Sequence, residues 1–123
     1  MPQTRVLVFK QDDEYVPLLE WLDEIPQPAL AKCIERIRLL GELGSELRRP
    51  LADYLRDGIF ELRAKAGRVN YRLLYFFHGR NVTVVSHGFT KEDVVPDKEI
   101  ERAITNRKLV MIDPEKHTEE LDI

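Results

Sequence analysis

Apolar and polar positions repeat along this chain with two different periods, and the switches between them mark its elements. Residues 4–9 (TRVLVF) are apolar and β-branched, which predicts a short first strand. Tyr15, Leu18, Leu19 and Leu22 then recur at i, i+3, i+4 and i+7, the spacing of one buried helix face. Pro26 and Pro28 break that helix and open the next. Leu30, Ile34, Ile37 and Leu40 continue a second helical stripe to about Leu43, with Gly41 and Gly44 weakening or ending it. Residues 45–58 carry no clear period and read as irregular. In Ile59–Ala66 the period becomes two: Phe60, Leu62 and Ala64 face one way, Glu61, Arg63 and Lys65 the other. A tight turn at Ala66, Gly67 and Arg68 leads into residues 69–77 (VNYRLLYFF). That run is almost continuously apolar, as expected of a central strand covered on both faces. After a turn at residues 78–81, residues 82–89 form the last predicted strand. Pro96 opens a final helix with Ile100, Ala103 and Ile104 inward. Asp97 and Glu99 in its first turn, and Arg107 and Lys108 in its last, suit the helix dipole.

The predicted order is β-α-α-β-β-β-α. Consecutive hairpins imply an antiparallel sheet with the two early helices on one face, an α+β domain. The domain is expected over residues 1–112, and the acidic, aperiodic residues 113–123 as a frayed tail.

A chain of 123 residues is long enough for one domain with a real core. No apolar run approaches the roughly 20 residues of a membrane span. No basic-then-apolar leader opens the sequence, and the single cysteine, Cys33, cannot form an internal disulfide, so a cytoplasmic location is expected. Three His and one Cys show no metal-ligand spacing, so neither a metal nor another cofactor is expected.

Charge changes the picture more. The net charge of −3 hides a middle segment, residues 48–91, with nine Lys or Arg against three acids. Both flanks are acidic. Several Arg on a rigid sheet suit a phosphate backbone, so RNA or DNA is the first partner to consider.

Arg72 is the least ordinary of these cations, because it sits mid-strand among apolar residues. It must stay hydrated in a cleft or pair with an anion, since burying it alone is very costly. Arg63, Arg72 and Lys91 converge on one sheet face if the three strands are neighbours. Such a set can hold phosphate and stabilise charge developing in phosphoryl transfer. Lys65, Arg68 and His87 are candidate RNA contacts around it. The alternatives are ordinary: Arg63 and Lys65 as a solvated strand face, and Arg72 as an ion-pair partner of Glu61. Alternation places His87 with Val85 and Phe89, as a packed strand histidine. Cys33, Trp21, Tyr71 and Tyr75 read as core.

From Ile59 to Leu109 the chain resembles the HigB-like branch of the RelE/ParE toxin superfamily. The matching pieces are F-E-L-R (Phe60 to Arg63), Y-R-L-L-Y-F (Tyr71 to Phe76), H-G-F-T-K (His87 to Lys91), and a Pro ahead of K-E-I-E-R-A (Lys98 to Ala103). The resemblance implies a toxin of a type II toxin–antitoxin pair that cuts mRNA on the ribosome. In that chemistry the ribose 2′-OH attacks the adjacent phosphate, with Arg72, Lys91 and Arg63 as the matching basic residues. It also implies a cognate antitoxin, often of helix-turn-helix type. ParE-like relatives instead bind gyrase without catalysis, and phage-derived members need not be toxic. This chain has Glu92 where relatives often carry a second lysine.

Overall fold

The computed structural model describes residues 3–90 and 94–122. The chain runs β1 (Arg5–Phe9), α1 (Pro17–Glu24), α2 (Gln27–Leu43), a 3-10 turn (Gly44–Glu46), β2 (Ala52–Arg56), β3 (Ile59–Ala66), β4 (Val69–His78), β5 (Val82–Thr90), α3 (Asp97–Ile112), α4 (Pro114–His117) and β6 (Thr118–Glu120). All six strands form one sheet, in the order β2-β3-β4-β5-β1-β6.

This is the α+β class expected, with two corrections to the sheet. It is mixed, because β1 pairs in parallel with β5, Val8 facing Val85. After β1 the chain crosses the sheet through α1 and α2, so it returns on the far side and β1 lies beside the last hairpin strand. The sheet also gains strands at both edges. β2 falls inside the stretch read as irregular. Its sequence, ADYLR, has little strand pattern, but an edge strand packs on one side only. Arg56 also fastens it to α3, reaching Asp97 at 2.6 Å and Glu101 at 2.7 Å.

The acidic tail is likewise not frayed where the structure describes it. α4 follows Asp113, whose side chain accepts from the Lys116 N–H, and β6 pairs with β1. His117 is buried, stacked on Phe9, with its Nδ1 2.9 Å from the Lys10 carbonyl. Arg107 and Lys108 are not in the last turn of α3, because that helix continues to Ile112.

The sheet is covered on both faces. α1 and α2 pack Leu18, Leu22, Cys33, Ile37 and Leu40 against Val8, Leu62, Leu73, Tyr75 and Val85. On the other face α3 packs Ile100, Ala103 and Val110 against Leu7, Ile59, Leu74, Phe76 and Val84. That double cover is why β4 reads as a nearly unbroken apolar run. Gly44 ends α2 at φ 53°, a conformation that favours glycine, with its N–H on the Leu40 carbonyl.

Gly88 is needed for space. A Cβ there would lie 2.3 Å from Cε3 of Trp21 on α1. Gly88→Ala is therefore expected to push α1 outward and cost about 1–3 kcal/mol. Emission from Trp21, the chain's single tryptophan, should shift to the red, and the urea midpoint should fall. An unchanged spectrum and midpoint would show that the contact relaxes without cost.

A buried guanidinium–carboxylate cluster at the end of β3 and β4

A two-residue turn at Gly67 and Arg68, with φ 63° at Gly67, pairs Ala66 with Val69. Counting back, Arg63 falls opposite Arg72. Paired residues point to the same face, and strand alternation puts Glu61 there as well. The geometry follows from this register. Arg72 Nη1 donates to both Glu61 carboxylate oxygens, at 3.0 Å each. Arg63 Nε donates to Glu61 Oε1. The Glu61 side chain is 1% exposed, Arg72 13% and Arg63 37%.

The cluster extends to the edge strand. Asp53 on β2 takes Arg49 at 3.0 Å and Arg63 at 3.4 Å. The Arg49 hydrogen bond holds the Asp53 carboxyl below the usual carboxylate range. On the helix side, Arg36 of α2 donates to the Arg63 carbonyl at 3.2 Å. A cleft of about 200 Å³ opens here, lined by Arg36, Pro50, Arg63, Lys65, Tyr71 and Arg72.

Arg63 and Arg72 are thus brought together, with Lys65 at the cleft wall. Arg68 is exposed in the β3–β4 turn and does not line the cleft. Lys91, with its neighbours Glu92 and Asp93, lies outside the described residues. Of the two roles the sequence offers Arg72, phosphate ligand or partner of Glu61, the second is the one seen in the fold.

His87 is not an accessible RNA contact. Leu74 pairs with His87 but Tyr75 pairs with Val85, so Ser86 is an extra residue, a β-bulge. The bulge flips the alternation, and His87 points to the α3 face, opposite Val85. There it is 1% exposed. Its Nδ1 lies 2.8 Å from Ser86 Oγ and its Nε2 3.0 Å from Glu99 Oε1 on α3. Asn106 Nδ2 donates to Ser86 Oγ at 2.8 Å. One assignment satisfies the whole chain. Asn106 donates to Ser86, the Ser86 hydroxyl donates to Nδ1, and a neutral His87 donates from Nε2 to Glu99. Burial and the nearby Arg102 hold the His87 pKa down at about 4, against the pull of Glu99.

Sequence reasoning missed this network and the Asp53–Arg49 extension. The bulge hid the first. For the second, the missing signal was β2 itself.

A family model for phage-derived Gp49-like proteins (DUF891) matches residues 20–108. The chain belongs to this Gp49-like family. The family is associated with RelE-like and other toxin-like proteins. The matched span runs from α1 into α3, so the Glu61–Arg63–Arg72 cluster lies within the Gp49-like part. β1, α4 and β6 lie outside it. Comparison with curated proteins finds no match. Among the described residues of the Gp49-like chain, no helix is long and apolar enough to cross a membrane, and no His, Cys, Asp or Glu side chains gather as a group of three or more that would hold a metal ion.

Proposed function

We propose that this Gp49-like chain is the toxin of a type II toxin–antitoxin pair, on the HigB-like branch, and that it cuts mRNA on the ribosome. The observation that carries this reading is the register pairing of Arg63 with Arg72 at the wall of an open cleft. Two rigid guanidinium forks on facing strands match the geometry of a phosphodiester. In the reaction the ribose 2′-oxygen attacks the adjacent phosphorus and loses its proton. The bond from phosphorus to the 5′-oxygen breaks, and that oxygen takes up a proton. Arg63 and Arg72 stabilise the extra negative charge of the phosphorane. Glu61 orients both forks in the free protein and shares them with the incoming phosphate. A cognate antitoxin of helix-turn-helix type would silence the protein by covering this face.

Mapping RNA ends after induced expression tests the reading. Wild type is expected to leave ribosome-dependent cuts, and Arg72→Ala to lower their yield about a hundredfold. Growth arrest with intact mRNA would remove the endonuclease.

One observation favours a second reading, a non-enzymatic binder such as a ParE-like gyrase inhibitor. Glu61 already engages both guanidiniums, as a structural ion pair does. Under that reading DNA breaks appear while mRNA stays whole.

A further inference from the structure

A second groove lies beside the edge strand, on the other face of the sheet from Arg72. It has a volume of about 470 Å³ and is lined by Leu47, Arg48, Arg49, Ala52, Tyr54 and Phe60, among others. Its floor is aromatic. The Tyr54 ring meets Phe60 edge-on at 5.0 Å, and Phe60 stacks in turn on Tyr75 at 5.4 Å. Tyr54 is also held from its far end, where the Gly58 N–H donates to its Oη at 3.1 Å. Despite this bracing, Tyr54 is 53% exposed. Arg48 and Arg49 stand exposed at the rim. Only the segment from Arg49 to Ala52 separates this groove from the cleft at Arg63, since Pro50 and Leu51 line the cleft and their neighbours line the groove.

A fixed, half-exposed ring flanked by guanidiniums has the chemistry of a stacking platform for single-stranded nucleic acid. The ring takes the face of a base, and the cations take the phosphates on either side. An edge strand could instead accept a partner's strand, but β2 is short and carries a register irregularity between Tyr54 and Arg56, which disrupts a continuous ladder. The groove's lining carries two cations, Arg48 and Arg49, against one acid, Asp53, which pairs with Arg49 at 3.0 Å; the balance is cationic and favours a polyanion. We infer that this groove is a second RNA subsite, in which an unpaired base stacks on Tyr54 while adjoining phosphates meet Arg48 and Arg49. The strand passes around the β2 edge into the Arg63–Arg72 cleft. This inference rests on the proposed RNA-directed function and extends its footprint.

The test uses the full chain and a cleavage-resistant 2′-O-methyl single-stranded oligonucleotide. Tyr54→Ala is expected to weaken binding about tenfold, and Tyr54→Phe to restore most of the affinity, because the ring survives. Arg48→Ala should reduce the slope of log K against log salt by roughly 0.7, and Arg49→Ala by less, because Asp53 already pairs with that guanidinium. Photocrosslinking of a 4-thiouridine oligonucleotide to wild type should attach to Tyr54, which checks the site without any substitution. Binding that falls in Arg72→Ala but not in Tyr54→Ala, with the crosslink elsewhere, would overturn this subsite and leave the proposed function standing. That outcome would point to the β2 edge as a protein contact. Absence of salt-dependent RNA binding by wild type would also overturn this subsite, whereas the mapping of RNA ends decides the proposed function by itself.

Discussion

Glu61→Gln is expected to cost about 3–5 kcal/mol of folding stability, although the side chains are nearly the same size. The carboxylate is 1% exposed and accepts from Arg72 twice and from Arg63 once. Gln keeps the shape but removes the negative charge and presents N–H donors where the site needs acceptors. Arg63, at 37% exposed, can turn to water, whereas Arg72, at 13%, has much less room to do so. Urea unfolding should show a lower midpoint with an unchanged m-value, since the buried surface stays the same. A paired test isolates the cause. Glu61→Met with Arg72→Met removes both charges, so the double variant should be more stable than Glu61→Met alone. The same change should act oppositely on binding. With the Glu61 charge removed, the cleft is more positive and should hold RNA more tightly at low salt in those molecules that remain folded. An unchanged midpoint in Glu61→Gln would show that the carboxylate is not the anchor of the cluster.

The cluster also shows what the sequence could convey. The strands β3 and β4 were legible, because alternation and a tight glycine turn fix both the strands and their register. From that register alone Arg63 and Arg72 fall side by side, and Glu61 falls on their face. The double cover of β4 was legible as well, in its apolar run. What stayed hidden depends on partners far along the chain. β2 owes its place to β3 and to the Arg56 links with Asp97 and Glu101, 41 and 45 residues away, none of which leaves a periodic trace. β6 forms by completing the edge of β1, so its three residues look like any acidic tail. His87 is packed, as alternation predicts, and shares a face with Phe89, but it does not share one with Val85, because one bulged residue, Ser86, reverses every later position on its strand. A bulge is set by the packing of both strands and has no fixed sequence sign. For the same reason the cationic middle segment overstated the free positive charge. Arg49, Arg56, Arg63 and Arg72 all meet acids in the fold.

The buried histidine gives the second large effect, an acid-labile attachment of α3. In the folded chain His87 is neutral and its pKa is held down at about 4, mainly by burial and then by Arg102, with Glu99 pulling the other way. In the unfolded chain it titrates near the ordinary value of about 6.5. A lowered folded-state pKa means that the unfolded state binds the extra proton first. Stability from this group is therefore complete above pH 6.5 and drains away as pH falls toward 4. Across that window the loss approaches about 3 kcal/mol. The hydrogen-bond chain explains why Glu99 does not prevail. A proton on Nδ1 would leave Ser86 Oγ facing donors from both His87 and Asn106, and the serine hydroxyl would need a new acceptor in a buried site. Asp53, a carboxyl whose pKa is also lowered, loses its contribution only at more acid pH, so the two effects separate. Urea midpoints measured from pH 7 to pH 4.5 should fall steadily in wild type. In His87→Gln, which keeps polar atoms but cannot be protonated, the curve should be flatter over the same range, from a lower starting value. Amide exchange should show α3 opening first, since Glu99 and Asn106 are its links to the bulge. Equal slopes in the two proteins would assign the acid sensitivity to other groups and leave His87 as a packed side chain without a titrating role.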